Sequence, residues 1–147
     1  MVILKRTFIL IILLSNLCLA TKDDFGKVIV SEVTSIYDGD TFRVNIKGYP
    51  DIIGKRIPIR INGVDTPELR SKCKKEKDLA RLAKQFTVQM LRSAKSIELK
   101  NMQRGKYFRI VADVYADGKS LSKELIDNNL AVPYFGGTKV KDWCALQ

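Results

Sequence analysis

Two acidic turns and two arginines are the residues of this sequence best suited to chemistry. Asp38-Gly39-Asp40-Thr41 separates two runs of alternating hydrophobicity, and Val64-Asp65-Thr66-Pro67-Glu68 follows a third. Carboxylates at strand ends can converge on one point. Two aspartates and a nearby backbone carbonyl would give a hard divalent cation such as calcium oxygen ligands, with positions left open for water and a phosphate. Arg60 and Arg109 carry planar guanidinium forks that grip phosphate through paired hydrogen bonds and offset charge building on a pentavalent phosphorus. Taken singly, each feature has a plainer explanation. An Asp-Gly pair is usually a hairpin, Asp-Thr-Pro-Glu usually leads a loop into a helix, where the acid favours the helix dipole, and an arginine in a basic protein is usually a surface solubiliser.

The chain has no histidine. That removes the usual general base, the usual proton shuttle and the commonest transition-metal ligand. Ser-His-Asp hydrolysis, histidine-pair ribonuclease chemistry and His-dependent zinc or manganese sites are excluded together. Any catalysis must rest on carboxylates, arginines, lysines, tyrosines or a metal held by oxygen.

The elements that position these residues follow from periodicity. Lys27 to Tyr37 alternates around Val28, Val30 and Val33, and Thr41 to Ile46 places Phe42, Val44 and Ile46 on one face. Two strands joined by the first acidic turn are predicted. Ile57, Ile59 and Ile61 alternate in a third strand, with Arg60 on the opposite face, and Pro58 predicts a free edge or a bulge. From Lys74 to Lys95 the period changes, and Leu79, Leu82, Ala83, Phe86, Met90 and Leu91 fall at helical spacing, a helix of about five turns. Two more strands are expected over Ser96 to Asn101 and Arg109 to Tyr115. A turn at Ala116-Asp117-Gly118 and a short helix from Ser120 or Ser122 to Asn128 complete the pattern. The tail from Pro133 to Gln147 has too little periodicity to assign. The fold class expected is α+β, mainly β, with five short strands and two or three helices compatible with an OB-like barrel.

With 147 residues, 46% hydrophobic and 29% charged, the chain fits one domain. Lys5 and Arg6 precede the apolar run Phe8 to Leu14, and Cys18-Leu19-Ala20 offers small residues where a signal peptidase reads. Residues 1–20 are expected to be a secretory signal cut after Ala20, because the apolar stretch is well short of the ~20 residues a membrane span needs. Residues 21–147 would be the mature domain, secreted or periplasmic, touching the membrane only during export. Loss of Lys5 and Arg6 lowers the formal net charge from +10 to +8. The mature domain remains basic and attracts polyanions. Lys72, Lys74, Lys75 and Lys77, just before the long helix, could track a phosphate backbone or simply solvate the helix start. Cleavage also leaves Cys73 and Cys144 as an even pair in an oxidising compartment, which predicts one disulfide closing a long loop and contributing about 2–4 kcal/mol.

The combination of Asp-Gly-Asp-Thr, then Arg60 five residues before Asp65-Thr66-Pro67-Glu68, then Lys106-Tyr107-Phe108-Arg109 resembles the staphylococcal nuclease (thermonuclease-like) family. The resemblance covers Ile36 to Val44, Arg60 to Glu68, Gly105 to Lys119 and Leu125 to Tyr134. It implies an OB-like five-stranded barrel and calcium-dependent cleavage of DNA and RNA to products ending in a 3′-phosphate. By position it implies Asp40 and Asp65 as side-chain metal ligands and Thr66 as a carbonyl ligand. Glu68 matches the carboxylate that orients or deprotonates water, and Arg60 and Arg109 match the phosphate-binding pair. Lys106 and Tyr107 fall where the family contacts substrate, and Tyr134 resembles a base-stacking tyrosine with its spacing offset by about one residue. Phe108 departs from the family glycine at that position. DNA and RNA are the expected partners, with no stable protein partner and a monomeric state. The rival is a noncatalytic nucleic-acid-binding module on the same barrel, which would have no need of three acids aimed at a phosphate.

Overall fold

Apolar alternation makes these strands, and a change of neighbours within one of them makes the barrel. The computed structural model describes residues 24–145, so the expected signal segment, with the cleavage expected after Ala20, lies outside the described residues. The elements in chain order are β1 (Val28–Ile29), β2 (Glu32–Ile36), β3 (Thr41–Asn45), α1 (Asp51–Gly54), β4 (Ile57–Ile61), β5 (Val64–Asp65) and α2 (Lys74–Ser93). They continue with β6 (Ile97–Arg104), β7 (Ile110–Ala116), β8 (Lys119–Ser120), α3 (Leu121–Asp127) and β9 (Val132–Pro133). The single strand expected over Lys27 to Tyr37 divides at Val30-Ser31, where the backbone switches partners. The Val30 N–H donates to the Ile97 carbonyl and the Ser31 N–H to the Asn45 carbonyl, each at 2.9 Å.

The sheet order is β1-β6-β7-β4-β3-β2. Because β1 and β2 are consecutive pieces of one stretch, the two ends of this order meet and the sheet curls on itself as an OB-like barrel of five strands. All pairs are antiparallel except β4 with β7. The β4 strand therefore has neighbours on both sides and is not an edge. Pro58 is tolerated because its partner on β3 is Arg43, while pairing with β7 begins only at Ile59. Periodicity missed the one-turn α1, the two-residue β8 and the β5–β9 pair, which draws the unassigned tail back beside the second acidic turn.

Inside the barrel lie Phe42, Val44, Ile57, Ile59, Ile61, Leu99 and Val114, closed at one end by Leu121 and Leu125 of α3. Each such side chain contributes roughly 1.5–3 kcal/mol through burial. The α2 helix spans the predicted length, and of its predicted apolar face Ala83 and Leu91 are buried and Phe86 and Met90 pack partly buried against the core; Leu82 alone turns outward. Ala80, Ala83, Thr87 and Leu91 face inward, while Leu82 is 53% exposed. Small residues are needed there because the helix lies directly on the first acidic turn. A Cβ added to Gly39 would stand 2.8 Å from the Ala83 Cβ and 2.9 Å from the Thr66 Cγ2.

Candidate active site

The first acidic turn is built before any ligand arrives. Asp38 caps its own turn by accepting from the Asp40 N–H at 3.1 Å. The Thr87 hydroxyl of α2 donates to the Gly39 carbonyl at 2.6 Å, and the Ile61 N–H donates to the Asp40 carbonyl at 2.9 Å. Helix, turn and β4 are thereby locked together, and Asp40 is left 1% exposed.

Its carboxylate is fully occupied. Oδ2 accepts from the Thr66 N–H at 3.1 Å and the Thr66 hydroxyl at 3.0 Å. Oδ1 accepts from the Thr41 hydroxyl at 3.0 Å and from the Arg60 guanidinium. Arg60 also reaches the Val64 carbonyl and Asp65 Oδ1, both at 3.3 Å. One planar fork thus bridges the two buried aspartates and neutralises charge that water cannot reach. Burial pushes the Asp40 carboxyl up to about 7; Arg60 opposes the rise, Asp38 adds to it, and the bonds from Thr66 and Thr41 oppose it.

Glu68 is more open. Its backbone N–H donates to Glu76 Oε1 on the first turn of α2 at 2.9 Å, and its carboxylate accepts from the Lys139 ammonium at 2.7 Å. The same ammonium stands 2.8 Å from Asp65 Oδ1. Burial alone would lower the Lys139 pKa, but the hydrogen bonds to Asp65 and Glu68 prevail and hold it above the ordinary lysine value. The sites are therefore linked in series: Asp40, Arg60, Asp65, Lys139, Glu68. They do not close on a single point. Among the described residues, the one trio of acidic or sulfur ligands within 4.8 Å of one another is Cys73, Glu76 and Cys144, and its two sulfurs are joined to each other.

Sequence reasoning missed Lys139. It lies in a segment without periodicity, and the one signal pointing to it was its nearness in the chain to Cys144. The Cys73–Cys144 disulfide is present, with a Cα–Cα distance of 6.0 Å and a sequence separation of 71. A loop of that length corresponds to about 4 kcal/mol of chain-entropy restraint. It brings the tail beside Glu68. Trp143 is partly buried there, with Lys141 5.4 Å over its ring.

Arg109 is differently placed. Arg60 pairs with Val111 across the parallel β4–β7 ladder, and Arg109 immediately precedes β7 at the residue before Ile110. It makes no ion pair with a carboxylate among the described residues. Its Nε is buried without a hydrogen-bond partner among the described residues. Before it, Lys106 is exposed and Tyr107 is 87% exposed, 6.0 Å from the Arg109 guanidinium. Tyr107 and Phe108 both adopt left-handed backbone, with φ of 58° and 55°, so the phenylalanine occupies a conformation that favours glycine. Tyr134 is half-buried. Its N–H bonds the Gly63 carbonyl, and its hydroxyl is turned to the Gly137 carbonyl at 2.7 Å. Of the lysine cluster, Lys74 pairs with Asp78 and Lys75 holds the Ala145 carbonyl, each at 2.7 Å.

The donors at the buried end are all hard oxygens without a nitrogen ligand, which suits calcium or magnesium rather than zinc. Two cationic side chains already sit on them, the behaviour expected of oxygens arranged to hold positive charge. A family model described as staphylococcal nuclease homologue matches residues 58–143, more than half of the chain. The chain belongs to the staphylococcal nuclease homologue family, whose domain serves nucleic-acid cleavage and binding.

Proposed function

We propose that this protein is an exported, calcium-dependent nuclease that hydrolyses phosphodiester bonds of DNA and RNA to 3′-phosphate products. Residues 1–20 are its signal peptide, and residues 21–147 act as a secreted or periplasmic monomer. Asp40, Asp65 and the Thr66 carbonyl would hold the cation, whose charge would lower the cost of bringing an anionic nucleophile to an anionic phosphodiester. Glu68 orients the attacking water and takes its proton. The exposed Glu68 carboxylate, anchored through its backbone to Glu76, suits a group that must meet both water and substrate.

Arg60 and Arg109 complement the charge that develops on phosphorus. Arg60 lies on β4 and Arg109 immediately before the neighbouring β7, and among the described residues Arg109 pairs with no carboxylate, which leaves its fork free for a phosphate. Lys106 and Tyr107 contact the neighbouring nucleotide, and Tyr134 offers a ring face for a base. The observation that carries this reading is the pair of buried aspartates bridged by one guanidinium and lying next to Glu68. A noncatalytic binder would be burdened by them, since buried acids repel phosphate unless a cation intervenes.

The test is degradation of single-stranded DNA by the chain from residue 21 onward, with and without calcium, repeated with Glu68→Gln. Calcium-dependent degradation is expected, slowed about a hundredfold or more by the substitution. Intact DNA under every condition, with binding retained, would make the protein a binding module instead.

A further inference from the structure

The C-terminal segment crosses the acid cluster under restraint at both ends. Upstream, β9 pairs with β5, and the Tyr134 N–H bonds the Gly63 carbonyl at 2.9 Å. Downstream, Cys144 is joined to Cys73, the residue that caps the start of α2, and Lys75 holds the Ala145 carbonyl. Between these anchors the Lys139 ammonium reaches Asp65 Oδ1 at 2.8 Å and Glu68 Oε1 at 2.7 Å. An ammonium is a compact charge with three donors and no acceptor. Here it spends two of those donors on two different acids.

We propose that Lys139 is a built-in counter-ion of the cation site, held on Asp65 and Glu68 by a strap that the Cys73–Cys144 disulfide closes, and that calcium must displace it to reach Asp65. This rests on the assignment of Asp65 as a cation ligand. A divalent cation on Asp65 would stand close against the Lys139 ammonium, and the two like charges would repel strongly in this largely buried setting. Occupancy by Lys139 therefore lowers the affinity for calcium, and it keeps Asp65 compensated when calcium is absent. The two anchors set how strongly the ammonium competes, because tethering fixes its effective concentration at the acids. Opening the disulfide frees one end of the strap and weakens that competition without abolishing it. The calcium threshold of the protein then differs between oxidised and reduced forms.

The test is calorimetric titration of calcium chloride into the cation-free mature protein, without nucleic acid. Wild type is compared with Lys139→Gln and with the double variant Cys73→Ser, Cys144→Ser, each checked for folding by thermal melting. Lys139→Gln should bind calcium at least about fivefold more tightly, and the double-serine variant should shift the same way by a smaller factor. A folded Lys139→Gln with unchanged or weaker affinity overturns the counter-ion and leaves the calcium assignment standing. Tightening in Lys139→Gln alone overturns the part given to the disulfide. Calcium bound by none of the three proteins overturns both this inference and the cation site on which it rests.

Discussion

The buried end of the site and its exposed rim solve opposite problems. At the buried end, Asp40, Asp65 and Thr66 are almost wholly withdrawn from water, and a guanidinium, three threonine donors and a lysine answer their charges. At the rim, Tyr107 stands in solvent on left-handed backbone, and among the described residues the Arg109 Nε has no partner. Acids gathered in a low-dielectric pocket repel one another, so the fold must compensate them whether or not a ligand is present. A cationic rim whose partner is a polyanion can leave its donors unspent, because the substrate supplies the missing acceptors. Stability should therefore depend on the first region and hardly at all on the second.

Breaking the compensation gives the largest expected effect. Arg60→Met keeps the length of the side chain but leaves Asp40 and Asp65 without their bridge. The calcium-free protein should lose about 3–5 kcal/mol in denaturant unfolding, part of it regained on adding calcium. A variant as stable as the parent would mean that the two acids need no partner.

A smaller effect follows from pH. Burial raises the folded-state pKa of Asp40 from 3.8 to about 7, so the native protein binds this proton more tightly than the unfolded chain does. The stability it contributes is complete below the unfolded value and is lost as pH climbs through this window. Unfolding of the calcium-free protein, measured from pH 4 to 7, should therefore show a decline that Asp40→Asn removes. An equal decline in both proteins would assign the slope to other groups.

The rim should respond least. Arg109→Lys is expected to change stability by no more than about 0.5 kcal/mol. It should still depress kcat more than it raises KM, because a point charge cannot replace the planar fork in the transition state. Equal losses in both constants would count against that role. A large loss of stability would erase the contrast between the two regions.

Residue types and local spacing already carried much of this molecule. The alternation of Phe42, Val44 and Ile46, and of Ile57, Ile59 and Ile61, is a local property of pleated strands, and the structure buries all six side chains. It also put Arg60 on the outer face, since side-chain direction in a strand has a period of two. Cys73 and Cys144, the two cysteines outside the expected signal segment, were enough to predict the disulfide that the structure contains. Periodicity found most of the inward face of α2, Ala83, Phe86, Met90 and Leu91, and misplaced Leu82, where packing rather than hydrophobicity chose the residues. That face is lined at this point by Ala80, Ala83 and Thr87 because the Asp38–Asp40 turn presses against it, and no rule of amphipathicity favours those small residues over Leu82.

The sequence by itself determined which groups were available: acids in two turns, two arginine forks, no histidine and a basic surface. Those are matters of composition and of neighbours along the chain. Only the tertiary structure decided how the charges were shared among them. Asp40 and Arg60 are twenty residues apart, and Lys139 lies seventy-one residues beyond Glu68. Contacts at such separations depend on barrel closure, on the β5–β9 pair and on the disulfide acting together. Pairing energies between distant charges leave no imprint on local spacing, so the bridging of Asp40 to Asp65 by Arg60 and the seating of Lys139 on Asp65 and Glu68 came into view only once the chain was folded.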